Sequence, residues 1–185
     1  MAEKKAIILE ATSLNLGSSS DTLDKLNKKA AKLPNANAAG LMDLLKGMGG
    51  ICTDAVGLAT AAEGDNALLL LNGGEVELAA ALDAADRRTL LVVLGADGVA
   101  LYGLAVNNKA GSVDRAVSSQ DLMVTIATIV DLEIDATCTG AIIYQIMKNP
   151  NLKLDEIRKL KEALIRMESV IQRDNREPWD KHDCA

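Results

Sequence analysis

The sequence predicts an α/β fold with a mainly parallel sheet flanked by helices, and three observations carry that prediction. Short aliphatic runs that fit buried strands, at residues 6–9, 67–71 and 89–94, alternate with segments of helical periodicity. Glycine and asparagine signals such as Asn72-Gly73-Gly74 separate them. A length of 185 residues, 49% hydrophobic and 25% charged, suits one globular domain, read as residues 1–174 with a polar tail at 175–185.

The elements follow in order. Ala6-Ile7-Ile8-Leu9 is short and β-branched enough to be a buried first strand, and Gly17-Ser18-Ser19-Ser20 is a loop after it. A capped helix begins at Asp21, with Leu23 and Leu26 on one face and Pro34 as its stop. A second short helical stretch covers 41–45, a glycine-rich loop 47–50, and a helix 53–62. A strand at 67–71 leads into a helix at 76–85 and then into the strand at 89–94. Gly95-Ala96-Asp97-Gly98 reads as a strand-end turn, followed by a strand at 99–106. Leu122, Ile126, Ile129 and Val130 recur at i, i+4, i+7 and i+8 in a helix at 121–132. The last helix, at 154–173, spaces Leu154, Ile157, Leu160, Leu164, Met167 and Ile171 by three or four, a stripe that fits packing on the sheet or a homo-oligomeric helix seam.

Composition removes several functions. The net charge of −6 without a basic run, together with only three aromatic rings, argues against a nucleic-acid partner. No apolar stretch approaches the roughly 20 residues that span a bilayer, so no membrane partner is expected. The N-terminus runs into the first strand without the apolar region of a signal peptide, which reads as cytoplasmic. Cys52, Cys138 and Cys184 are odd in number and widely spaced, as unpaired thiols would be. The single histidine, His182, lies in the tail and leaves nothing for a histidine-based triad. Tyr144 and Lys148 have a Tyr-x-x-x-Lys spacing, but the loop after the first strand lacks the glycines of nicotinamide binding.

Glu10 and Asp97 stand where strand C-termini are expected, the usual site edge of a parallel sheet. With Asp54 they offer three carboxylates to one Mg²⁺ or Mn²⁺, hard cations that accept oxygen ligands without histidine. Turn capping is the commoner use of such carboxylates. Thr53 opens the helix expected at 53–62 and Cys52 stands beside its N-terminus, where a hydroxyl can cap the helix and a thiol can be buried or activated.

Several segments in order resemble the alkaline phosphatase-like superfamily, above all the cofactor-independent phosphoglycerate mutases, phosphopentomutases and their phosphodiesterase and sulfatase relatives. They are Ala6-Ile7-Ile8-Leu9-Glu10, Asp21-Thr22-Leu23-Asp24-Lys25-Leu26, Cys52-Thr53-Asp54, Thr89-Leu90-Leu91-Val92-Val93 through Asp97-Gly98, and Ser119-Gln120-Asp121 through Gly140. The resemblance implies a shortened core of that fold, with Thr53 at the position of the nucleophile. The superfamily's metal ligands are mostly missing, since Glu10 replaces an aspartate and Ala96-Asp97 replaces an Asp-His pair. The expectation is a non-catalytic protein that binds or self-assembles through the 154–173 helix, with no cofactor. The alternative is a phosphoesterase or phosphomutase using Thr53 and a Mg²⁺ or Mn²⁺ site on Glu10, Asp54 and Asp97.

Overall fold

Leucine- and valine-rich runs too short for helices form the centre of the molecule. The computed structural model describes residues 4–174. In chain order its elements are β1 (Lys5–Glu10), α1 (Asp21–Asn27), β2 (Ala31–Leu33), α2 (Leu41–Gly47), β3 (Ile51–Cys52), α3 (Leu58–Glu63), β4 (Leu68–Asn72), α4 (Glu75–Ala84), β5 (Thr89–Gly95), β6 (Gly98–Gly103), α5 (Ser119–Ile129), a 3₁₀ turn at Tyr144–Ile146 and α6 (Leu152–Asp174). The chain divides into two compact units, Met1–Lys148 and Asn149–Ala185. The α/β layers therefore end at Lys148, and the polar tail expected at 175–185 lies outside the described residues.

The sheet has six strands in the order β2-β6-β5-β1-β4-β3. β1 pairs in parallel with β4 and β5, and β3 in parallel with β4, while β6 runs antiparallel to both β5 and β2. The fold is thus α/β with a mostly parallel mixed sheet. Because helices cover both faces, the central strands are aliphatic at consecutive positions instead of alternating with polar ones. Ile7, Leu9, Leu69 and Val93 pack with Leu23 and Leu26 of α1, Leu58 of α3 and Leu78 of α4. Ile8, Leu70, Val92 and Leu94 pack on the other face with Leu41 and Leu45 of α2 and Leu122 and Ile126 of α5. The largest fully buried side chains are isoleucines and leucines, the core expected of a chain without phenylalanine.

Three local expectations change, and one short strand appears where none was expected. Residues 31–33 form a strand, so Pro34 follows β2 and the preceding helix stops at Asn27. β3 contributes only two residues. The helix expected at 53–62 starts at Leu58, after a turn. The strand expected at 99–106 ends at Gly103, where φ is +96°, and Ala105 follows in the left-handed region at +62°.

Ser20 caps α1 by accepting from the Leu23 N–H at 3.2 Å. At α5 the capping is reciprocal: Asp121 N–H donates to Ser118 Oγ at 3.2 Å, and Ser118 N–H donates to Asp121 Oδ2 at 2.9 Å. No helix among the described residues is long and apolar enough to cross a membrane.

Candidate functional site

The C-terminal ends of parallel strands share one edge of a sheet, where sites in α/β proteins usually form. β1, β4, β5 and β3 all end there. Glu10 closes β1 in register with Asn72 and Leu94, and its carbonyl accepts from the Gly73 N–H at 3.1 Å. Its carboxylate belongs to a half-buried residue.

Asp97 sits in the two-residue turn between β5 and β6, where Gly95 pairs with Gly98. Its Oδ1 accepts from the Leu16 N–H at 2.7 Å and its Oδ2 from the Gly17 N–H at 3.0 Å. The Leu16 carbonyl in turn accepts from Asn27 Nδ2 at 3.0 Å, so both sides of that residue are held. Leu16 is buried beneath the turn, and a Cβ at Gly95 would collide with its side chain. Asp97 therefore fastens the loop after β1 to the β5–β6 turn.

Asp54 lies beyond the end of β3, and its Oδ1 accepts from the Gly57 N–H at 2.7 Å in the turn that leads into α3. Thr53 extends the β3 pairing, its N–H donating to the Leu70 carbonyl at 2.9 Å. Gly57 is the N-cap of α3, so Thr53 stands outside that helix. The side chain of Cys52 is exposed and that of Cys138 partly buried, and both are thiols without a disulfide. His182 and Cys184 lie outside the described residues.

All four expected site residues thus lie at one edge, but the strand order spreads them. Glu10 and Asp97 belong to neighbouring strands, whereas Asp54 lies past β4. With strands about 4.8 Å apart, the ends of β3 and β5 are separated by roughly 14 Å. A hard cation holds its oxygens at about 2.0–2.6 Å. Among the described residues, no group of three or more His, Cys, Asp or Glu stands together as a metal site. The hollow beside Asp97, bounded also by Lys32, Pro34 and Ser112, holds about 90 Å³, against the roughly 300–1,000 Å³ of small-molecule pockets.

The segment 119–140 has a structural use of its own. Asp121 Oδ1 accepts from the Ala141 N–H at 2.7 Å, Thr125 Oγ1 accepts from the Ile143 N–H at 2.9 Å, and Gln120 Oε1 accepts from Thr139 Oγ1 at 2.7 Å. A Cβ at Gly140 would strike the Gln120 carbonyl. Burial raises the Asp121 pKa, but the hydrogen bonds from Ala141 and Ser118, helped by the charge of Arg115, outweigh it and hold the carboxyl below its ordinary value.

A more roomy cleft, about 440 Å³, opens at the opposite edge of the sheet, between the residues after α1 and α4 and the end of β6. Sequence reading missed it because its walls come from positions near 29, 87, 102 and 148, which share no local motif. No family model, curated protein or solved structure matches the chain.

Proposed function

We propose that the protein acts by binding and self-assembly, with α6 as the seam between two copies. In this reading the segments that resemble the alkaline phosphatase-like superfamily form a core without its metal ligands. The supporting observation is the stripe on α6. Ile157, Leu164 and Ile171 occupy heptad position a and Leu160 and Met167 position d, and they are between 48% and 70% exposed. In a parallel pair in register, Glu156 at position g faces Lys161 at position e of the second copy, an attractive contact.

Five such residues per helix make ten across the pair. Full burial of each is worth roughly 1.5–3 kcal/mol, about half of which remains to be gained from their present exposure. Association costs an estimated 4–15 kcal/mol, which is of the same order. The pair is therefore expected to form reversibly, with a mass that depends on concentration. Sedimentation equilibrium tests this: Leu160→Asp with Leu164→Asp should give a monomer whose circular dichroism retains the α/β signal. A wild-type chain that is monomeric at all concentrations sinks the proposal.

The second reading is a divalent-metal-dependent phosphoesterase or phosphomutase with Thr53 as nucleophile and Mg²⁺ or Mn²⁺ on Glu10, Asp54 and Asp97. In its favour, all four residues lie at one strand edge. Against it, Asp97 and Asp54 already accept backbone hydrogen bonds. Phosphatase and mutase assays with added Mn²⁺ separate the two readings: turnover abolished by Thr53→Ala would favour the enzyme.

A further inference from the structure

The cleft at the N-terminal edge of the sheet gathers three cations from three separate parts of the chain. Lys29 follows α1, Arg87 lies between α4 and β5, and Lys148 closes the first unit. None of the three makes an ion pair within 4 Å or a side-chain hydrogen bond among the described residues, although hydrogen bonds from Thr89 and Arg88, helped by the charge of Arg87, hold the Asp86 carboxyl below its ordinary value. The lining contains one acid, Asp86. Its Oδ1 accepts from Thr89 Oγ1 and from the Arg88 N–H, both at 2.8 Å, so this oxygen is engaged in shaping the turn before β5. The lining charge is therefore 3 − 1 = +2, within a chain whose net charge is −6.

The three cationic residues are exposed, while the backbone beneath Lys148 and the apolar wall of the cleft are fixed by the fold. Lys148 is anchored by its N–H to the Ala105 carbonyl at 2.8 Å, next to a bridge between Val106 and Met147. Tyr102, on β6, is half-buried against the core and forms a wall of the cleft together with buried Val106. Asn108 adds an amide. α1 and α4 both end at this edge, and their C-terminal carbonyls favour nearby cations. That accounts for Lys29 and Arg87, whereas Lys148 follows only the single 3₁₀ turn at Tyr144–Ile146, too short for a sizeable dipole.

We propose that this cleft binds a small phosphorylated metabolite, with the phosphate held by Lys29, Arg87 and Lys148 and the organic body laid against Tyr102 and Val106. A phosphomonoester carries about −1.5 to −2 charge at neutral pH, which matches the lining. Its three oxygens suit an arginine fork flanked by two ammonium groups. The cleft is larger than a phosphate alone would fill and lies within the range of small-molecule sites.

The test is calorimetric titration of the full chain with phenyl phosphate, inorganic phosphate and benzoate, paired with amide NMR shifts. Phenyl phosphate is expected to bind tightest, since only it offers both a dianion and a ring. Arg87→Gln and Lys148→Gln should each weaken it by about tenfold or more, while Lys159→Gln on α6 leaves it unchanged. In the wild type, shifts should centre on Tyr102, Val106 and Lys148, a readout that does not depend on the variants folding. No binding of phenyl phosphate up to roughly 10 mM, unchanged binding in both variants, or shifts mapping elsewhere would each overturn the proposal.

Discussion

Replacing Asp97 by alanine tests whether this residue is a clamp or a metal ligand. The carboxylate receives two backbone hydrogen bonds, from Leu16 at 2.7 Å and from Gly17 at 3.0 Å. Each is worth about 0.5–1.5 kcal/mol net, which gives roughly 1–3 kcal/mol for the pair. Solvent at the carboxylate favours the lower part of that range, whereas the partly buried Leu16 N–H favours the upper. A loss of about 2 kcal/mol in urea unfolding is expected, or roughly 4–8 °C in Tm for a chain of this size. Asp97→Asn keeps one accepting oxygen and should lose about half as much. Amide exchange should quicken at Leu16 and Gly17 and remain slow in the β1 core. If the carboxylate is instead a metal ligand, Mn²⁺ should stabilise the wild type and not the variant, by mass action on the folded state. A cost below about 0.5 kcal/mol with unchanged exchange at Leu16 and Gly17 would refute the clamp.

Other changes have equally definite outcomes. Asp121→Asn should cost about 1 kcal/mol at pH 7 through the weakened cap. Because the folded pKa of Asp121 is lowered, its contribution is present above the unfolded value near 3.9 and is lost as pH falls through the folded value; the gap between wild type and variant in urea midpoints should close below about pH 4. Gly98→Ala introduces a side chain at φ +134°, with its Cβ 2.6 Å from the Leu33 carbonyl oxygen, and should cost more than about 2 kcal/mol in thermal unfolding. Gly40→Ala, at φ +77° with open space around it, should cost less, about 1 kcal/mol, which separates backbone strain from collision.

The strands buried on both faces were legible because that burial leaves an uninterrupted aliphatic run, as in Ala6-Ile7-Ile8-Leu9 and Leu90-Leu91-Val92-Val93. β2 and β3 were not, since three and two residues carry no periodicity and their strand character comes from partners remote in sequence. Lys32, for instance, pairs with Ala100, far along the chain. The reversal at β6 has a local cause: a turn of Ala96 and Asp97 is too short for the crossover that a parallel pair needs, so the next strand must return antiparallel. Asp97 was legible as a residue at a strand end, yet its role depends on Leu16 and Gly17, about eighty positions earlier. The stripe on α6 was fully readable, because heptad spacing is a local property.

The two edges of the sheet differ in how their charges are matched. At the C-terminal edge, the carboxylates of Asp97 and Asp54 accept hydrogen bonds from N–H groups of their own chain. At the N-terminal edge, three cations share a single carboxylate, and helix C-termini rather than N-termini face the cleft. A phosphate held there would draw its binding energy from side-chain charge, without the backbone N–H groups and helix dipole that serve phosphate at helix N-termini. Charge attraction in a partly open cleft is screened by salt, with a Debye length of about 10 Å at 0.1 M and about 3 Å at 1 M. The affinity for phenyl phosphate should therefore fall steeply between those concentrations. An affinity insensitive to salt would mean that hydrogen bonds from buried backbone, and not Lys29, Arg87 and Lys148, hold the anion.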